Sequence, residues 1–100
     1  MQENYSYPLN PKWTQDEIVK VIDLYRAVET AYEHGIKRDD FLQKYRLFQQ
    51  VVPMKMDQKQ LDKDFEFESG YSIYQVFKQC QKTSGSRKVR IYNGNNSQNN

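Results

Sequence analysis

Reactive and metal-ligating side chains are scarce in this 100-residue sequence, which holds one cysteine, Cys80, and one histidine, His34. A single cysteine excludes an internal disulfide, and with it a secreted fold stapled by such bridges. Together the two residues offer at most two thiol or imidazole ligands, short of the four that a structural zinc site takes. Glycine is sparse as well, with four residues and no glycine-rich loop of the kind that cradles phosphate. No apolar run approaches the ~20 residues that a spanning helix needs. The longest, residues 48–56, is broken by Gln49, Gln50, Pro53 and Lys55. The opening residues, Met1 to Tyr7, have neither the basic start nor the apolar stretch of a signal peptide. These features lead us to expect a cytoplasmic protein with no membrane segment.

What is present suits one modest core. Hydrophobic residues make up 37% and charged residues 28%, with a formal net charge of +2. The mean hydropathy of −1.01 is low for a folded domain, but eight tyrosines contribute to it. Each tyrosine ring can bury roughly 150–250 Å² while its hydroxyl stays bonded or wet. Charge is unevenly placed. Through Thr83 there are 12 basic and 13 acidic side chains, whereas residues 84–100 hold Arg87, Lys88 and Arg90 and no acid. The positive excess therefore belongs to the C-terminal tail.

Periodicity divides the chain into an extended N-terminal arm (1–12), a helical domain (13–83) and a flexible, polar, basic tail (84–100). Pro8 and Pro11 disfavour helix in the arm, and Tyr5, Tyr7 and Leu9 alternate so that one side can lie on a helical body. Thr14 and Glu17 form a capping box, with Trp13 and Ile18 as its hydrophobic staple. From there Ile18, Val21, Ile22, Tyr25, Val28 and Tyr32 mark a core-facing helical stripe over 15–34, and Gly35 ends it. Asp39 or Asp40 is the expected cap of a second helix carrying Phe41, Tyr45, Phe48 and Val52, which Pro53 ends. A third helix is expected over 55–68, with Met54, Leu61 and Phe65 on one side, Lys55, Lys59 and Lys63 on another, and Gly70 after it. Ser72 and Gln75 repeat the capping box for a fourth, whose inner face is Ile73, Val76, Phe77 and Cys80. The expectation is an all-α fold, a compact bundle of four short helices.

Several strings carry a resemblance. They are Tyr5-Ser6-Tyr7-Pro8-Leu9, Trp13-Thr14 with Glu17, Val28-Glu29 followed by Ala31-Tyr32-Glu33, Tyr45-Arg46 with Phe48 and Val51-Val52-Pro53, and Ser69-Gly70-Tyr71-Ser72 with Tyr74. In order and spacing, over about residues 5–83, the chain resembles a small uncharacterised protein family of low-GC Gram-positive bacteria. The resemblance implies an all-α bundle and brings no activity, cofactor or site residue with it. The chain departs from it at Met54, where a serine is expected, which leaves Asp57 as a later substitute cap.

The residues bear on three classes of function. Catalysis lacks a constellation: Cys80 is expected in the core and His34 in the last turn of the first helix, where exposed carbonyls favour a cation. Asp57, Asp62, Asp64, Glu66 and Glu68 scatter around their helix and read as a solvated surface, so neither a metal nor a cofactor is expected. Nucleic-acid binding would use the outer side of the fourth helix, Gln75, Lys78, Gln79 and Lys82, together with Arg87, Lys88 and Arg90, following a glycine turn of helix-turn-helix type. It starts poorly because the five acids of the third helix would meet the phosphates. Protein contact would use an exposed apolar patch of Tyr5, Tyr7, Met56, Phe67 and Tyr74. The expectation is a non-enzymatic protein-interaction module with a protein partner or a second copy of itself, and a nucleic-acid-binding accessory protein is the alternative.

Overall fold

The computed structural model describes residues 5–92, which form α1 (Gln15–Glu33), β1 (Ile36–Lys37), α2 (Arg38–Val51), α3 (Lys55–Ser69), α4 (Ile73–Lys82) and β2 (Lys88–Val89). Residues 1–4 of the arm and 93–100 of the tail lie outside the described residues. The all-α expectation holds, with one short antiparallel ribbon added. In it Ile36 stands opposite Val89 and Lys37 opposite Lys88.

Helix α1 starts as its sequence dictates. The Thr14 hydroxyl accepts from the Glu17 amide at 3.2 Å, and the Glu17 carboxylate accepts from the Thr14 amide at 2.8 Å. Two amides at the start of the helix are thereby satisfied. At the other end His34 and Gly35 both donate to the Thr30 carbonyl, at 2.8 and 2.7 Å. Gly35 takes φ +91°, a left-handed conformation that favours glycine. The buried stripe comprises Val21, Leu24, Tyr25, Ala27, Val28 and Ala31. Ile18, Ile22 and Tyr32 are only half-buried, so the inner face is rotated toward the two alanines.

Two expected caps need correction. Helix α2 begins at Arg38, and neither Asp39 nor Asp40 caps it; both lie in its first turn. The reason is that β1 runs straight into the helix, and the Arg38 amide is satisfied by the Arg87 carbonyl beside β2 at 2.9 Å. The acids still face the positive end of the helix. At α3, Met54 occupies the cap position without a side-chain bond, and Asp57 sits inside the first turn. The Gln58 side chain instead donates to the Val52 carbonyl at 2.8 Å and ties the connection down. Met54 is therefore exposed rather than sharing the buried side of Phe65.

Three aromatic stacks join the helices. Tyr25 lies on Phe65 with ring centroids 4.5 Å apart, Tyr32 on Tyr71 at 4.3 Å, and Tyr45 on Phe77 at 4.6 Å. They link α1 to α3, α1 to the α3–α4 turn, and α2 to α4. Each exceeds simple area burial by about 0.5–1.5 kcal/mol.

The boundary of the tail also moves. Residues 84–92 do not stand free: Val89 is 1% exposed, and the Ile91 amide donates to the Ala31 carbonyl at 3.1 Å. Val89 and Ile91 supply enough apolar surface to hold this segment on the body, which the polar composition of the whole tail concealed.

Candidate functional site

The feature that shapes the surface is one carboxylate on α3. Asp62 accepts from the Ser72 hydroxyl at 3.1 Å, from the Ile73 amide at 2.7 Å and from the Tyr74 amide at 3.3 Å. Ser72 in turn accepts from the Gln75 amide at 3.3 Å. Two layers of acceptors thus serve the N-terminus of α4, where exposed amides and the helix dipole favour negative charge. The Ser72 half of the expected capping box is present, while the Ser72 amide donates to the Tyr32 hydroxyl at 3.1 Å rather than to the Gln75 side chain. Asp62 is therefore no solvated surface acid, which corrects the reading of its cluster. The side-chain hydroxyl of Ser69 and the left-handed Gly70, at φ +81°, complete the turn between the two helices.

Pinning α4 to α3 opens a groove of about 580 Å³ between α2, α3 and α4. Tyr45, Phe48, Ile73, Tyr74 and Phe77 form its apolar walls, and Lys55, Lys59 and Lys63 line its α3 side. The three lysines stand at steps of four on one helix face. All three are exposed, and none forms an ion pair among the described residues. Tyr74 is 57% exposed, with the Lys78 ammonium 5.6 Å from its ring centroid. Burial raises the Tyr45 phenol, and the charge of Asp62 adds to the effect.

The expected patch divides in two. Met56 and Phe67 are 77% and 85% exposed and point outward from α3. Tyr5 and Tyr7 do not join them. Both are half-buried, donate their hydroxyls to Glu29 of α1, and meet Phe65 at centroid distances of 6.3 and 6.2 Å. The arm is held further by the Tyr25 hydroxyl, which donates to the Pro8 carbonyl at 2.7 Å. One turn along α1, Glu33 accepts from the Tyr71 hydroxyl at 2.9 Å. Burial and these carboxylates push the Tyr7 phenol up to about 12 and raise Tyr5 and Tyr71 as well. Sequence reasoning missed this role of Glu29 and Glu33. Their four-residue spacing on the face toward the tyrosine-bearing arm is the signal that was available.

The expected nucleic-acid contacts also separate. Gln75, Lys78 and Lys82 are exposed on α4, and Gln79 is half-buried. Lys88 belongs to β2, and its aliphatic stem covers Gly35, where an added Cβ would lie 2.9 Å from the lysine Cδ. Arg90 donates to the Glu33 carbonyl at 3.3 Å and lies over the Tyr92 ring. Arg87 is exposed, and its carbonyl receives the Arg38 amide. The tail cations therefore share in fixing β2 to the body.

Cys80 is fully buried, and burial raises its thiol. His34 caps the far end of α1, and no hydrogen bond joins the two among the described residues. The described residues contain no group of three or more histidine, cysteine or acidic side chains able to hold a metal ion. No helix among them is long and apolar enough to cross a membrane.

Comparison with known proteins agrees with this architecture. The profile of the uncharacterised protein family UPF0223 matches residues 4–89. That span runs past Thr83 to the end of β2. A UPF0223 protein of Lactococcus lactis is 44% identical over 89 residues, covering 89% of this chain and 95% of its own length. One from Streptococcus agalactiae is 46% identical over 82 residues, with 82% and 88% covered. One from Listeria monocytogenes is 46% identical over 87 residues, with 87% and 96% covered. The matched span covers the described arm, the four helices and β2, and the chain belongs to the UPF0223 family.

Proposed function

We propose that this protein is a non-enzymatic protein-interaction module that works through the outer surface of α3 and α4. The observation that carries the reading is the exposure of Met56, Phe67 and Tyr74 on two adjacent helices. Large apolar side chains grouped on a surface lose their water when a partner covers them, which is how aromatic and methionine side chains come to mark contact sites. The single reduced cysteine, buried in the core, supports a cytoplasmic setting.

Light scattering after size exclusion, together with affinity capture from a lysate of the source cell, tests the reading. The wild-type chain is expected to self-associate or to retain a protein that Met56→Ser with Phe67→Ser releases. A strict monomer that retains no protein above control would sink it.

Nucleic-acid binding stands second, supported by the exposed Gln75, Lys78 and Lys82 along α4. Anisotropy with mixed RNA and DNA at about 50 mM salt, where phosphate contacts are strong, decides it. Absence of binding there ends that reading.

A further inference from the structure

We propose that the groove between α2, α3 and α4 binds an acidic segment of a partner protein that carries an aromatic or aliphatic anchor. This deepens the interaction reading and rests on it.

The charge of the groove is unbalanced in one direction. Lys55, Lys59 and Lys63 follow one another along its α3 side about 6 Å apart, the rise of four helical residues. None of them forms an ion pair among the described residues. The carboxylate that lines the same groove, Asp62, is already committed to a hydroxyl and two amides of the α4 N-terminus. The lysine row is thus complementary to carboxylates spaced one helical turn apart on an incoming helix, or at alternate residues of an extended chain.

The walls select the kind of anchor. Tyr45 and Phe77 stack on each other, and the Tyr74 ring is covered by Lys78. Each of these rings has a face engaged by that contact, so the groove offers mainly ring edges and the aliphatic surface around Ile73 to a side chain. A nucleobase needs a free aromatic face to stack on. A nucleic-acid backbone would pair phosphates with the lysine row but bring no aliphatic side chain to Ile73 and Phe77. A peptide presents carboxylates to the row and an apolar side chain to the walls together. Salt-sensitive pairing at the rim and an apolar anchor in the groove make an acidic amphipathic segment the fitting occupant.

The test uses the full chain and a dye-labelled helical peptide with Glu at every fourth position and Leu and Phe on the adjoining stripe. Anisotropy is expected to show binding that weakens about tenfold in Lys59→Glu with Lys63→Glu, and weakens again as salt shortens the Debye length from about 10 Å toward about 3 Å. The neutral pair Lys59→Gln with Lys63→Gln should fall between them. Circular dichroism of each variant separates lost binding from lost folding. A peptide of the same composition in scrambled order should bind more weakly.

Equal affinity of wild type and charge-reversed variant overturns the proposal. So does an absence of binding up to about 1 mM peptide. Binding of an oligothymidylate of matched charge in place of the peptide also overturns it. Each of these failures leaves the broader reading to the capture experiment, where a partner still retained by the charge-reversed variant would place the surface outside the groove.

Discussion

Asp62→Ala removes one carboxylate from a half-buried position on α3 and is expected to be felt mainly in α4. The Ile73 and Tyr74 amides lose their acceptor, and the Ser72 hydroxyl loses the partner that orients it toward the Gln75 amide. Loss of a capping acceptor costs about 1 kcal/mol. Loss of a negative charge at the helix N-terminus adds about 0.3–1 kcal/mol. A buried amide left without a partner adds about 1–3 kcal/mol, reduced here to the extent that water enters. The sum is about 2–4 kcal/mol, a large fraction of the roughly 5–15 kcal/mol that stabilises a domain. In a chain of this size it corresponds to a fall in Tm of roughly 10–25 °C. Asp62→Asn keeps an acceptor but not the charge, and should lose about half as much. Asp64→Ala is the control, because Asp64 is exposed and, among the described residues, accepts only from the Gln60 side chain. Urea unfolding followed by circular dichroism reads all three. If Asp62→Ala is no less stable than Asp64→Ala, the carboxylate does not hold α4, and the account of the groove fails with it.

Four further outcomes follow from the same contacts. Tyr5→Phe with Tyr7→Phe leaves Glu29 without its two phenol donors and should cost about 1–3 kcal/mol in urea unfolding. Alkaline titration should show late ionisation, because Tyr7 is raised to about 12 in the folded chain. A raised phenol keeps its proton in the folded state after the unfolded chain has lost it, so stability is intact below about pH 10 and falls as pH climbs through about 12. Tyrosinate absorbance of native and urea-unfolded protein at equal pH measures this directly. Gly35→Ala forces a side chain into φ +91° and against the Lys88 stem, and should lose about 1–2 kcal/mol on thermal unfolding. Cys80 should react with a thiol reagent only as fast as the chain unfolds, since its side chain is buried and its thiol raised.

What the sequence made legible was local. Capping at Thr14, the glycine stops at Gly35 and Gly70, the break at Pro53 and the apolar period of each helix are decided within a few residues, and all four helices appear where those signals stand. What it left hidden depends on partners distant along the chain. Asp62 serves a helix that begins eleven positions later, so in its own helix it looks like any exposed acid. Asp39 and Asp40 have cap chemistry but lie in the first turn of α2, because the Arg87 carbonyl beside β2 supplies the bond that a cap would have given. Lys88 and Arg90 read as free cations until Val89 is seen buried between them. The exposed apolar patch was half legible: periodicity turned Met56 and Phe67 outward, but only the fold shows that Glu29 draws Tyr5 and Tyr7 away from them. The lysine row was visible as a stripe, and its aromatic wall, assembled from α2 and α4, was not.

Isotope-edited NMR of the labelled chain, titrated with the acidic amphipathic peptide, tests the central claim most directly, because it reports both binding and place. The account predicts chemical-shift changes concentrated on Lys55, Lys59, Lys63, Tyr74 and Phe77, with Tyr5, Tyr7 and β2 unmoved. Changes confined to Gln75, Lys82 and Arg87, or a spectrum that does not respond to the peptide at all, would contradict it.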